Sequence, residues 1–414
     1  MTDELVPHLA DAPPAAPPPK DPTEDAAASW LRRVSSSGST VTVLAFVLAL
    51  VIGGILIAAV NPEVTAAAHY FFAKPGDLFR AAWQAVSEAY TALFRGAVYD
   101  YDAKTFSKSI RPLTETMTIA TPLIIAALAV AVAFRAGLFN IGAQGQVILG
   151  ATLAAYLGFT WHLPTGIALL VSLVGGLVAG GFWAGIAGVL KARTGAHEVI
   201  VTIMLNYVAI SLLAWFLTTQ AFRVAGSAEP KSRTVRTEAQ LPLLFGSQYR
   251  VTWGFIIAIL AAVFVWWLMS RSRIGFQYRA VGFNPNASRT AGISVQRITV
   301  YVMLTSGALA GLAGAVQLLG TSKYLTDGIA GTIGFDAITV ALLGRSKPLG
   351  IFFAGLLYGG LSAGGRFMEV VTGTPISIVL VLQALVVLFI AAPTLVRTIF
   401  RLPEPGADLK GATA

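Results

Sequence analysis

The sequence predicts an all-α, polytopic integral membrane protein with about ten transmembrane helices, some of them short or broken. Of its 414 residues, 56% are hydrophobic and only 12% are charged, and the mean hydropathy is +0.72. A chain of this length with so few charged side chains cannot cover a soluble globule with polar surface. Its apolar runs also recur at lengths near the about 20 residues that a helix needs to cross a bilayer.

The apolar runs define the predicted membrane spans in order. They lie at residues 41–60, 117–134, 138–158, 165–190, 197–218, 252–269, 298–319, 330–344, 348–365 and 375–397. The segment 330–344 is short and interrupted by glycine, which predicts a re-entrant or broken helix.

The N-terminal stretch 1–40 differs in composition from the rest of the chain. It is rich in Pro, Ser and Gly and lacks the apolar residues that build a core, which predicts a disordered cytosolic tail. Arg32 and Arg33 before an apolar run would also fit a signal peptide. The run 41–60 is long enough to span a bilayer and longer than a usual signal core, so a retained first helix is favoured.

Basic residues predict that both termini lie in the cytoplasm. With the N-terminus inside, most arginines fall in inner loops, and the short outer loops hold only Lys323 and Arg366. The segment 61–112 is then extracytoplasmic, and 399–414 is a second cytosolic tail. This distribution accounts for the net charge of +9 without a nucleic-acid partner.

The sequence offers little for catalysis. It contains no cysteine and no Gly-Lys dipeptide, so neither a thiolate site nor a phosphate-binding P-loop is possible. Glu198 and Asp336 are the acids nearest the spans, and the buried acid and base pairs of an intramembrane enzyme are missing. We therefore predict that the chain is not an enzyme.

The loop 270–297 carries five arginines and no acid. Its Asn-Pro pair predicts a capped short helix, typical of a docking element for a cytosolic partner. Charge alone favours a basic loop held at anionic lipid head groups, but lipid attraction requires no defined backbone, so the cap favours docking. The candidate docking residues are Arg279, Gly282, Asn284, Pro285, Ala287 and Gly292.

The stretch RAGLFNIGAQGQVILGA, residues 135–151, places helix breakers and amides between two apolar runs. Irregular backbone at membrane depth is tolerated where it lines a cavity, so Asn140, Gln144 and Gln146 are candidate residues of a substrate pathway. The alternative is a tight inner turn in which Asn140 caps the next helix. Both interpretations remain open.

Three further polar residues have two interpretations each. Asn206 and Gln317 could line the pathway or hydrogen-bond between helices. Asp336 could contact a ribose-like hydroxyl or cap the helix that follows it. His197 and Glu198 fit a charged helix cap better than a metal site, and no metal ligand set is predicted.

Glycines four residues apart predict close helix packing. The pairs Gly176 with Gly180 and Gly307 with Gly311 lie within two different spans. Small residues at this spacing let helix backbones approach each other closely.

Four ordered motifs carry a resemblance to a known family. They are GLFNIGAQGQ (137–146), KARTGAHEVIVTIMLNY (191–207), RAVGFNPNASRTAGI (279–293) and GFDAITVALLGRSKPLG (334–350). Together they resemble the permease subunits of ATP-binding-cassette (ABC) importers, in the branch for nucleosides and simple sugars that is related to the ribose and branched-chain amino-acid permeases. The resemblance covers about residues 110–398 and makes 113–398 a permease core.

The resemblance implies a machine of several subunits in a bacterial cytoplasmic membrane. A second permease chain, often non-identical, would pair with this one, and two cytosolic ATPase subunits would bind the ATP, so no cofactor is expected here. An external substrate-binding lipoprotein would deliver a nucleoside or a simple sugar such as ribose. The loop at 282–292 would be the coupling helix. A secondary transporter, which needs no ATPase, is the alternative from another class.

Overall fold

The computed structural model describes residues 38–224, 226 and 229–401. Within these ranges the chain forms fifteen α-helices and two isolated β-bridges but no β-strand, which confirms the predicted all-α class. In chain order the helices are α1 (Gly38–Val60), α2 (Pro62–His69), α3 (Pro75–Ala97), α4 (Phe106–Arg135), α5 (Ala143–Thr160), α6 (Ile167–Thr194), α7 (Glu198–Thr218), α8 (Gly254–Arg271), α9 (Arg273–Phe283), α10 (Pro285–Thr290), α11 (Val295–Gln317), α12 (Ile333–Leu343), α13 (Pro348–Thr372), α14 (Ile376–Ala391) and α15 (Pro393–Ile399).

Every predicted span contains a helix, but not every helix is long and apolar enough to cross a membrane. In the described part of the chain seven helices pass that test, or eight if α14 and α15, bent by 91°, count as one span. Two predicted spans that do not pass this test explain why the count is lower than the about ten predicted. Helix α5 begins with the polar Gln144 and Gln146, and α12 has only eleven residues.

The N-terminal region is more helical than the span prediction indicated. Residues 61–112 form α2, α3 and the first turns of α4, which begins at Phe106 rather than near residue 117. Helix α3 packs against α13, and α1 packs against α14. The predicted tails, 1–40 and 399–414, lie almost wholly outside the described residues, and the extracytoplasmic placement of 61–112 stays a prediction.

Helices α4 and α11 form the centre of the bundle. Of the residues in their most apolar stretches, 83% are buried in α4 and 78% in α11, against 28% in α1 and 22% in α7. The apolar residues of α4 from Leu123 to Ala133 are buried without interruption. A helix that is apolar on all sides is stable only inside a bundle or in lipid, and here neighbouring helices surround α4.

The predicted glycine seam joins α6 to α11. A Cβ built on Gly180 would lie 2.6 Å from the Cα of Gly311, and one built on Gly307 would meet the backbone of Gly180. These two helices make the most extensive helix contact in the described chain. The spacing of four residues therefore predicted the packing face correctly.

Loop contacts define two ends of the bundle. At the first, which we call the basic end, residues 135–142, 191–198 and 271–297 meet: the backbone of Phe139 lies beside the Glu198 carboxylate, and Gly282 packs on Ala136. At the opposite end the segment 219–253 contacts several helix ends. Arg250 lies 3.3 Å from Glu115, and the Val235 N–H donates to the Lys323 carbonyl at 2.8 Å.

Substitution of Gly311 by Ala should separate α6 from α11. The added methyl would overlap the Gly176 carbonyl and lie 2.8 Å from the Gly180 Cα, and overpacking of this kind destabilises by about 1–3 kcal/mol. Thermal unfolding of the purified protein in detergent, followed by tryptophan fluorescence, should show a lower midpoint. Gly76→Ala is the matched control, because a Cβ there meets nothing within 4 Å. Equal midpoints for both variants would contradict the seam.

Candidate functional site

The first helix break, residues 136–142, is closed by a buried amide cluster. The Asn140 Nδ2 donates to the Gln146 Oε1 at 2.9 Å and to the Ser306 Oγ at 2.8 Å, and the Gln146 Nε2 returns a bond to the Asn140 Oδ1 at 2.9 Å. The same Oδ1 accepts from the backbone N–H of Gly142 at 3.0 Å. Asn140 is fully buried, and its amide holds the turn before α5. A role of Asn140 in a substrate pathway stays a prediction.

Asn206 completes the hydrogen bonding of the same break from α7. Its Oδ1 accepts from the Gly145 N–H at 2.8 Å, and its Nδ2 donates to the Ile141 carbonyl at 2.9 Å. Backbone groups at the start of a helix have no partner within that helix, and here a side chain from a neighbouring helix supplies one. The structure thus favours the interpretation of Asn206 as an interhelical contact.

Gln144 connects the first break to a second break, the non-helical residues 323–332 before α12. Its Nε2 donates to the Gly331 carbonyl at 2.7 Å, and its Oε1 accepts from the Gly334 N–H at 2.8 Å. Gly334 lies so close that an added Cβ would be 2.7 Å from the Gln144 Oε1. One side chain therefore ties the start of α5 to the start of α12, which are far apart in the sequence.

The other two predicted pathway residues lie elsewhere. Gln317 and Asp336 both line a cavity of about 310 Å³ between α4, α12 and α13 at the opposite end. Thr332 donates to the Asp336 Oδ2 at 2.6 Å, and the Tyr358 hydroxyl donates to its Oδ1 at 2.9 Å. The six candidates are thus divided between a sealed amide cluster and an open polar cavity.

Among the polar residues of this cavity that the sequence did not identify, three lie on one helix. Tyr358, Ser362 and Arg366 all line it, and all belong to α13. They are four residues apart, which places them on one face of the helix. That periodicity within an apolar run was the signal that could have identified them.

The predicted short helix at the basic end is α10. The Asn284 Oδ1 accepts from the N–H groups of Asn286 and Ala287, both at 3.0 Å, and Pro285 occupies the first turn. Gly292 has φ +80°, so it ends the helix in a backbone conformation that favours glycine. The predicted cap and helix are confirmed.

Gly282 does not lie at the start of the short helix, where the loop 282–292 was predicted to begin it. It does not border α10 but lies within the preceding helix α9, where an added Cβ would be 2.7 Å from the Arg135 carbonyl oxygen. A Cβ built on Gly137, which has φ +71°, would lie 3.1 Å from the Gly282 Cα. Glycine is needed here because two backbones touch.

Helices α9 and α10 enclose a groove of about 830 Å³ on the surface of the basic end. Arg271, Arg273 and Arg279 line it together with Asn284 and Ala287. Phe283, the last residue of α9, also lines the groove and is 94% exposed. The sequence did not indicate this exposed aromatic side chain.

The charged residues at the start of α7 form an ion pair. Lys191 Nζ lies 2.6 Å from Glu198 Oε2, and the Glu198 side chain is 8% exposed. In the part of the chain that the structure describes, no group of three or more acidic, histidine or cysteine side chains could hold a metal ion. The ion pair fits the predicted helix cap.

Membrane-spanning helices that break around polar groups are typical of transport proteins. Residues 113–391 match the family model described as the branched-chain amino acid transport system permease component. This match covers more than half of the chain, and the protein belongs to this permease family.

Three relatives are similar over most of their length. A guanosine ABC transporter permease protein of Bacillus subtilis is 39% identical over 329 residues, which are 78% of this chain and 91% of that protein. A nucleoside ABC transporter permease protein of Lactococcus lactis is 36% identical over 298 residues, 68% and 80% of the two chains. A glucose ABC transporter permease protein of Haloferax volcanii is 36% identical over 287 residues, 67% and 75%. No solved structure matches the chain.

Replacement of Asn140 by Leu should destabilise the protein rather than only slow transport. It would leave the Gly142 N–H and the Gln146 amide buried without partners, at about 1–3 kcal/mol for each group. The yield of folded protein and its thermal midpoint in detergent should both fall. Asn286→Leu, at an exposed position, is the matched control. An unchanged midpoint together with lost transport would instead indicate a direct role in the pathway.

Proposed function

We propose that the protein is the permease subunit of an ABC importer that moves nucleosides across a bacterial cytoplasmic membrane. The observation that carries this proposal is its similarity to the guanosine and nucleoside permeases of two bacteria over most of both chains. The fold supports it, because it has several spanning helices and a polar cavity.

The basic end faces the cytoplasm in this proposal. Its loops carry Arg271, Arg273, Arg279 and Arg289, and short cytoplasmic loops are rich in basic residues. The described chain then begins in the cytoplasm with α1 and returns there with α15. The polar cavity lined by Gln317 and Asp336 faces outside and forms the outer part of the substrate pathway.

The ATP is hydrolysed by partner subunits that dock on α9 and α10. Arginines around the groove suit an acidic cleft on an ATPase, and Phe283 supplies an aromatic anchor. A second, homologous permease chain and an external binding lipoprotein complete the importer. This chain performs no chemistry itself and binds no cofactor.

The contacts suggest how movement of α9 reaches the pathway. Gly282 of α9 presses on the turn after Arg135, and this turn leads into the amide cluster at the start of α5. Gln144 then contacts Gly331 and Gly334 beside the cavity. Closure of the ATPases would move these elements together and open the pathway to one side at a time.

A simple-sugar importer is the second candidate function. It is favoured by the similarity to the glucose permease of Haloferax volcanii, which is as identical to this chain as the nucleoside permease of Lactococcus lactis. The two substrates share hydroxyl groups, so the same polar cavity could serve either.

Uptake of radiolabelled uridine, adenosine and ribose distinguishes these functions. The measurement uses cells that express the complete importer, with either an intact ATPase or one lacking its Walker lysine. We expect nucleoside uptake that requires the intact ATPase and that ribose does not compete. ATP-dependent uptake of ribose alone would show that the importer carries a simple sugar and not a nucleoside. Uptake that persists with the inactive ATPase would show a secondary transporter.

Substitution of Phe283 by Ala should weaken the association with the ATPase. Loss of an aromatic anchor at an interface reduces binding by about 2 kcal/mol, roughly thirtyfold in Kd. The stability of the permease should not change, because the side chain is 94% exposed. Co-purification of the ATPase subunits with the permease measures the effect. Phe72→Ala is the matched control, since Phe72 is 99% exposed and lies between α2 and α3, far from the groove in the sequence.

Equal retention of the ATPase by Phe283→Ala and by wild type would contradict the docking surface. Loss of the ATPase by the Phe72→Ala variant would show that the effect is not specific to the basic end.

A further inference from the structure

The cavity at the opposite end is lined by both polar and apolar side chains. The polar residues of its lining include Asp336 of α12 and Tyr358 of α13. The apolar residues include Ile119 and Leu123 of α4 and Ile333 at the start of α12. Its volume of about 310 Å³ lies at the lower end of the about 300–1,000 Å³ found for small-molecule sites.

The charges around this cavity cancel. Glu115 and Asp336 are the acids in its lining, and Arg250 and Arg366 are the bases. Arg250 is already paired with Glu115 at 3.3 Å. A site without net charge does not select for an anion or a cation, so it suits a neutral ligand that carries hydrogen-bonding groups.

The Asp336 carboxylate is oriented by two hydroxyl donors. Thr332 bonds one oxygen at 2.6 Å and Tyr358 bonds the other at 2.9 Å. An ionised carboxylate has about four acceptor positions, so each oxygen keeps capacity for a further donor. Two oxygens held in one plane can accept hydrogen bonds from two adjacent hydroxyl groups of a ligand.

A donor lies one helical turn from Tyr358. Ser362 lines the cavity, and its Oγ accepts a hydrogen bond from the Gln383 Nε2 at 3.0 Å. Because the Ser362 oxygen is the acceptor in that bond, the hydroxyl proton remains available to a ligand oxygen. Asp336 and Ser362 therefore offer a ligand both acceptors and a donor.

We propose that Asp336, oriented by Thr332 and Tyr358, binds the two adjacent hydroxyls of a ribose ring, and that the apolar residues of the cavity lining hold the base. This subsite rests on the proposed nucleoside import and adds the part of the substrate that the permease itself recognises. A site that hydrogen-bonds substrate hydroxyls discriminates against an analogue that lacks them, because the buried acceptors then have no partner.

The test compares uridine with 2′,3′-dideoxyuridine in proteoliposomes that contain the complete importer. The external binding protein is saturated with either ligand, so that its own selectivity does not enter the rates. In wild type we expect faster ATP-dependent uptake of uridine. Asp336→Asn should lower the uridine rate by about tenfold, the effect of losing a hydrogen bond to a charged group, and leave the dideoxyuridine rate unchanged.

Two further variants separate recognition from folding. Asp327→Asn replaces a nearby exposed carboxylate outside the cavity lining and should leave both rates unchanged. Tyr358→Phe removes one of the bonds that orient Asp336 and should lower the uridine to dideoxyuridine ratio by a smaller factor, in an importer that still assembles.

The outcomes distinguish the subsite from the proposed function. Asp336→Asn could instead lower both rates equally, so that its ratio of uridine to dideoxyuridine uptake equals that of wild type. The carboxylate would then only join α12 to α13, and the subsite would be wrong. A wild-type importer that takes up neither ligand would overturn nucleoside import itself and, with it, the ribose assignment.

Discussion

The backbone of the first helix break has to form hydrogen bonds where it is buried among helices, and the arrangement of three helices depends on this requirement. Unpaired backbone groups inside a membrane bundle cost several kcal/mol each. Asn140, Gln146 and Asn206 supply the partners, and Ser306 ties the cluster to α11. Because each amide both donates and accepts, the cluster holds α5, α7 and α11 at fixed positions. The polar stretch that interrupts the apolar sequence is therefore a structural joint in this state of the protein.

The amide cluster lies between the basic groove and the polar cavity, on which the proposed function depends. On one side Gly137 and Gly282 bring α9 into backbone contact with the turn before α5. On the other side Gln144 bonds the second break at the edge of the polar cavity. Contacts through backbone and short amides leave little room for independent side-chain movement, so a shift of α9 displaces the whole turn. The structure thus supplies a continuous path of contacts from the basic groove to the cavity, as the proposed coupling to an ATPase requires.

Local features were predicted from the sequence, and long-range ones were not. Hydropathy predicted the apolar spans. The Asn284 cap was predicted correctly because its partners lie two and three residues away. Ser306, one partner of Asn140, and both partners of Gln144 lie 166 to 190 residues away, and no local pattern specifies them. The sequence therefore left a pathway role and a structural role open for these amides, and the structure adds their hydrogen-bond partners. Tyr358, Ser362 and Arg366 were predictable from their spacing of four, but the apolar run around them concealed it.

The shortness of α12 has an electrical consequence. Its eleven residues span about 16 Å, roughly half of the about 30 Å hydrocarbon core of a bilayer. The remaining half is occupied by irregular backbone and the open cavity, where water can enter. A membrane potential therefore falls mainly across the layer between the second break and the basic end, and the electric field there is about twice that in an intact bilayer. A neutral substrate does not sense this field, while a leaking ion must cross it, so the thin sealed layer around the amide cluster is where the permease has to remain tight.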